Sequence, residues 1–223
     1  MLLIIGSTVV GVCALAAVAH TPPVRHLFMR SGTCPLGFTG SPVSAADHDK
    51  SLQRAAQALR GDGPAGVKPA LGFVLEQTSR QDVLTWAQQH QATCDGKPET
   101  HRLECKVTDI GSLPDSALEH APGTLFLVFN SGDKLKRVQV MAHVAAVVDA
   151  TRAMNAVLSK LTLHVGKPSH ETGQPSTAYL EGGALRQAVT EYRYADFYAQ
   201  VSVTNMGHLG YYSVSQMYQS LLD

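Results

Sequence analysis

Leu125-Phe126-Leu127-Val128-Phe129, then Asn130-Ser131-Gly132-Asp133, then Val138, Val140, Ala142 and Val144 at alternate positions decide the fold. The unbroken apolar run reads as a strand buried on both faces. The Asn-Ser-Gly-Asp quartet is turn chemistry, and the period-two alternation after it marks a strand with one face toward a core. Two strands across a short turn are antiparallel neighbours, so at least part of this protein is an antiparallel sheet.

Working outward toward the N-terminus, His101 to Val107 reads as another strand, and Leu71 to Leu75 as a short one. Two helices are signalled by their caps. Ser44-Ala45-Ala46-Asp47 precedes Leu52, Ala55, Ala56 and Leu59, which recur at helical spacing before Gly61. Ser79-Arg80-Gln81-Asp82 precedes Val83, Trp86, Ala87 and His90 in the same way, and that helix ends before the Asp95-Gly96 turn pair.

Toward the C-terminus, Asp149 caps a helix through Ala150, Met154, Val157, Leu158 and Leu161, closed by Gly166 and Pro168. Residues 166–183 form a polar loop rich in Gly, Ser and Thr. Ala188 to Tyr194 and Phe197 to Thr204 are two strands around Ala195-Asp196. Leu209 to Tyr212 reads as a last strand, and Val214, Met217, Tyr218 and Leu221 as a short terminal helix capped by Ser213. The fold class is therefore α+β, with antiparallel sheet and packed helices in two similar helix-plus-hairpin halves. The halves divide as residues 44–145 and 146–223, with the helix at 79–92 matching that at 150–164. The hairpin at 125–144 matches the one at 188–204.

The first forty residues differ. Leu2 to Ala19 is an uncharged, mostly apolar run of 18 residues. It is long enough to span a bilayer as a helix, and longer than the core of most signal peptides. Ala17-Val18-Ala19 fits a signal-peptidase site, while Val12 before Cys13 does not fit a lipobox. Residues 1–20 are thus a signal peptide or a transmembrane anchor, and 21–43, with Pro22-Pro23, a linker. Arg25 and Arg30 follow the apolar run, and positive charge there taken alone favours a cytoplasmic domain. The cysteines argue for the opposite side.

Cys94 and Cys105 lie eleven residues apart, one after a helix and one in a strand, a spacing that closes a disulfide in an oxidising compartment. The same segment supports a second arrangement. His90-x3-Cys94 and His101-x3-Cys105 offer two nitrogens and two sulfurs, a tetrahedral zinc donor set. Cys34 is the odd thiol, with no CxxC around it.

Composition excludes some classes. Lys plus Arg and Asp plus Glu number 18 each, without the basic excess of a nucleic-acid binder. With 44% hydrophobic and 16% charged residues the 223-residue chain is globular rather than disordered. No HExxH, GxSxG or Walker A sequence occurs, so no cofactor is implied. Tyr192 and Tyr194 fall on the same side of a strand, an aromatic pair suited to a partner surface or to a core. The leading expectation is an extracytoplasmic, periplasmic or secreted, non-catalytic binding or assembly module. The N-terminal helix gives it a membrane as one partner, and a protein is the other. The alternatives are a hydrolase assembled from dispersed His, Ser and Asp residues, and the zinc module of His90, Cys94, His101 and Cys105.

Overall fold

The computed structural model describes residues 44–223 apart from 97, 117–120 and 223. The apolar segment at 2–19, the linker, Cys13 and Cys34 lie outside the described residues. Among those described, no helix is long and apolar enough to cross a membrane.

The chain opens with helix α1, Ala45–Leu59, followed by α2, Arg80–Gln89. Ser44 accepts the Asp47 amide at 3.1 Å. Ser79 and Asp82 form the reciprocal capping box, Asp82 N–H to Ser79 Oγ at 3.2 Å and Ser79 N–H to Asp82 Oδ2 at 2.8 Å. Each closes orphan amides in the first turn, as the two Ser-x-x-Asp sequences require. Strands β1 (Thr93–Asp95), β2 (Arg102–Val107), β3 (Gly123–Phe129) and β4 (Leu135–Val144) follow as a meander. Helix α3, Val147–His164, comes next, then β5 (His170–Thr172), the short α4 (Thr177–Glu181), β6 (Gln187–Arg193), β7 (Phe197–Asn205) and β8 (Tyr212–Ser220). These last four strands also run as a meander.

All eight strands join one antiparallel sheet in the order β1-β2-β3-β4-β8-β7-β6-β5. The two meanders, β1–β4 and β5–β8, meet through their last strands. The alternating residues Val138, Val140 and Ala142 of β4, with Val214, Gln216 and Tyr218 of β8, face the helices and are buried. So are Leu103, Cys105 and Val107 of β2, and Phe197, Ala199, Val201 and Val203 of β7. Helix α3 meets them with Val147, Ala150, Met154, Val157 and Leu161, a 3–4–3–4 spacing that keeps one face on the sheet.

Four sequence expectations change. The C-terminal segment is not a helix: β8 is a central strand between β4 and β7. Val214, Tyr218 and Leu221 satisfy helical spacing, yet Val214, Gln216, Tyr218 and Ser220 form a buried alternation that the paired strands on both sides enforce. The strand expected over Leu209 to Tyr212 is a 3-10 turn at Gly207–Leu209. Leu71 to Leu75 is turn rather than strand, with Leu71 at φ 58° and Gly72 at φ 86°, although Leu71, Phe73 and Leu75 are buried. Helix α3 starts two residues before Asp149, which lies in its first turn and pairs with Arg152 at 2.8 Å.

Gly61 shows a close approach. A Cβ there would stand 2.3 Å from the Arg193 carbonyl oxygen, and the Gly61 amide donates to Tyr194 O at 3.1 Å. The residue after α1 therefore seats the chain against the end of β6.

Cys94 faces Cys105 across β1–β2, and the two are disulfide-bonded. By the loop-closure argument the bond stabilises the fold by about 2–3 kcal/mol. Replacing both cysteines with serine is expected to lower the unfolding free energy from urea titration by that amount, with a lower midpoint, while leaving the far-ultraviolet spectrum unchanged. Equal midpoints for the parent with and without reductant would count against it.

Candidate functional site

Sequence pointed to six residues, and the structure distributes them differently. His90 ends α2, stacks on Trp86 with centroids 4.8 Å apart, and donates from Nδ1 to the Trp86 carbonyl at 2.8 Å. His101 stacks on His48 at 4.6 Å at the other end of β2 from Cys105's neighbours Lys106 and Val107. With Cys94 and Cys105 bonded to each other, neither sulfur is free to ligate. The zinc arrangement is thus replaced by the disulfide. Among the described residues no group of three or more His, Cys, Asp or Glu is placed to hold a metal ion.

Tyr192 and Tyr194 do lie on one side, but it is the core side. Tyr192 is fully buried with its hydroxyl 3.2 Å from Thr162 Oγ1, and the Tyr194 hydroxyl donates to the Val165 carbonyl. Both hydroxyls bond the C-terminal end of α3, Tyr194 to a carbonyl left unpaired there and Tyr192 to a threonine hydroxyl. The pair fastens that helix to the sheet instead of forming an outer surface.

The surface that sequence reasoning missed is the other face of the sheet. The register aligns it in rows across the strands. One row runs Arg102, Val128, Arg137, Gln219, Tyr198. The next runs Glu104, Phe126, Gln139, Met217, Gln200, Glu191. A third runs Lys106, Thr124, Met141, Ser215, Ser202, Val189. Helix α1 lies over the first row: Ala56 and Leu59 pack with Tyr198, Met217 and Leu221, and Arg60 donates to Leu221 O at 2.7 Å. At its other end His48 Nε2 donates to Phe129 O at 2.9 Å, and Asp49 accepts from Ser131 N at 3.0 Å.

Beyond α1, no element among the described residues covers the rows. Phe126, Gln139, Met141, Met217, Gln200 and Ser215 are half-buried, as side chains standing on a bare sheet are, and Gln139 donates to Ser215 Oγ at 2.8 Å. On the three central strands β4, β8 and β7, this face carries no carboxylate. It mixes amides and hydroxyls with two methionines and Phe126, an amphipathic patch of the kind that protein interfaces use.

Beneath α1 the same face forms a cavity of about 220 Å³ lined by Asp49, Leu52, Gln53, Arg137, Gln219 and Leu222 among others. No histidine lines it; its charged groups are Asp49, Lys136 and Arg137. Nearer β6, Glu191 is held by Tyr198, whose hydroxyl donates at 2.7 Å, and by Arg193 at 2.7 and 3.0 Å. Burial alone raises the Glu191 carboxyl, but these donors and the arginine charge outweigh it and hold it below its ordinary 4.5. Tyr198 is correspondingly pushed up by burial and by the carboxylate.

Two outcomes follow from these contacts. A carboxylate whose folded value is depressed adds stability that is complete above its ordinary range and is lost as pH falls through the folded value. Tyr198→Phe removes one donor, so its urea midpoint is expected to fall less steeply than the parent's from neutral pH down to about pH 3. Tyr192→Ala empties a core position and is expected to cost about 3–5 kcal/mol in denaturant titrations. A fully stable Tyr192→Ala protein would contradict the core assignment.

No protein-family model and no curated protein matches the chain. Among solved structures it is similar to a DUF4309 family protein (YjgB) from Bacillus subtilis, with 9% sequence identity and a TM-score of 0.36 over 81% of this chain and 99% of that one. A likeness at that score carries no functional argument, and the reading below rests on the site itself.

Proposed function

We propose that this chain is a non-catalytic binding module working outside the cytosol, held at a membrane by its apolar N-terminal segment. The open face of the sheet is its docking surface for a protein partner. The observation that carries this reading is the character of that face. The core-facing positions of β2, β3, β4, β6, β7 and β8 are buried, while the opposite positions beyond α1 stay half-exposed and uncharged at the centre. Soluble sheets leave a face polar when water is its permanent neighbour. Here Phe126 and Met141 interrupt the polar rows, adding apolar area that gains from being covered. The Cys94–Cys105 bond is compatible with an oxidising compartment.

A photo-crosslinking side chain at Met141 or Ser215, in protein expressed in its native envelope, tests the reading. Leu163, which is 81% exposed on α3, is the control position. The expected result is a discrete adduct from the sheet positions, absent from Leu163 and abolished when Gln139→Glu places a charge in the middle row. Adducts of equal yield from both faces, or none from the sheet face, would overturn it.

A further inference from the structure

The cavity beneath α1 is a place where the fold has left one charge unanswered. Its floor is Arg137 and Gln219, cross-strand partners on β4 and β8, and its roof is Asp49, Leu52, Gln53 and Ala56 of α1. Two of its three charged groups are accounted for. Lys136 Nζ sits 2.6 Å from Glu76 Oε1 and also donates to the Leu222 carbonyl at 2.6 Å. The Asp49 carboxylate takes the Ser131 amide and hydroxyl, and these bonds with the nearby His48 and His101 hold it ionised against the cost of burial.

Arg137 is the exception. Among the described residues it has no carboxylate and no hydrogen-bond acceptor. Burial lowers its pKa, and the charge acting on it is another cation, Arg102, in the same row two strands away. A guanidinium partly withdrawn from water beside a like charge costs free energy that a counterion recovers. Arg137 is absent from the buried polar atoms lacking a partner, so its head reaches the solvent of the cavity.

The walls narrow the counterion. Guanidinium presents a planar fork that matches a carboxylate with two parallel hydrogen bonds. Ionised Asp49 on the facing helix opposes a second negative charge, which disfavours a phosphate dianion. Leu52, Ala56 and Leu222 offer apolar wall, while Gln53, Asn130 and Gln219 offer amides. At about 220 Å³ the space lies below that of drug-sized pockets, roughly 300–1,000 Å³, so the occupant is small.

We propose that the cavity under α1 binds a monocarboxylate on a short apolar or amide-bearing body, with Arg137 as its two-pronged anchor. The carboxylate belongs either to a small free acid or to the C-terminus of a peptide. The site does not depend on whether the open rows dock a protein.

Calorimetric titration of the full chain with N-acetylalaninate tests it, with the uncharged N-acetylalanine methylamide and inorganic phosphate as comparisons. The acid is expected to saturate one site, with the methylamide and phosphate binding at least about tenfold more weakly. Arg137→Gln should weaken the acid by about ten- to hundredfold, and Arg137→Lys by less than Arg137→Gln. Gln53→Trp, at an exposed position on the roof, should block entry without touching the anchor, which separates site loss from misfolding. A tetrapeptide with a free C-terminal alanine tells the two sources apart: tighter binding than the acetylated residue marks a chain terminus, weaker binding a free acid. No saturation into the range of about 10 mM would overturn the proposal. So would equal binding of the methylamide, tighter binding of phosphate, or an affinity unchanged by Arg137→Gln.

Discussion

Antiparallel pairing of β4 with β8 is the contact on which the rest of the molecule depends. Arg137 to Val144 run opposite Gln219 to Tyr212 along nearly the full length of both strands. Without that ladder each meander would end in a long strand with a row of unpaired amides and carbonyls, and each helix would face half a sheet. With it, one continuous core forms from Leu103 and Leu125 through Val140 and Tyr218 to Val201 and Ala188. The pairing also sets phase: because side chains alternate strictly, the register that buries Val140 and Gln216 puts Gln139 and Met217 side by side on the far face.

That far face inherits its character from the same constraint. Among the described residues, helices α2 and α3 take one side of the sheet and only α1 crosses the other, resting on Tyr198 and Leu221 at one end and on Ser131 at the other. A single helix of 15 residues reaches across the strand ends but leaves the remaining rows bare. The cavity arises where the helix bridges the sheet rather than packing into it. Ala56 is the one residue of α1 that is fully buried, so the helix has little apolar surface with which to close the gap.

Much of this was legible in the sequence where local physics decides the outcome. The β3–β4 hairpin announced itself by a turn between an apolar run and an alternation, and two Ser-x-x-Asp sequences placed the starts of α1 and α2 to the residue. The Cys94–Cys105 pairing followed from spacing and is shown. What was not legible depends on neighbours. Residues 212–220 carry Val214, Tyr218 and Leu221 at helical intervals, and only the ladders on either side select the strand. Tyr192 and Tyr194 were correctly placed on one side, but period two does not say which side is inside. The open rows had no signal in any single segment, since Arg137, Gln139, Met217 and Gln200 come together only through register.

The sheet's two lateral limits, β1 and β5, are each three residues long. An exposed strand edge is a template on which a foreign chain adds itself by backbone hydrogen bonds, and brevity is one of the ways proteins blunt it. Here the template offers three residues on either flank, and the disulfide ties the edge strand β1 to β2. Short edges thus weight association through the sheet toward side chains read from above, with the selectivity that implies, and away from sideways extension toward fibrils.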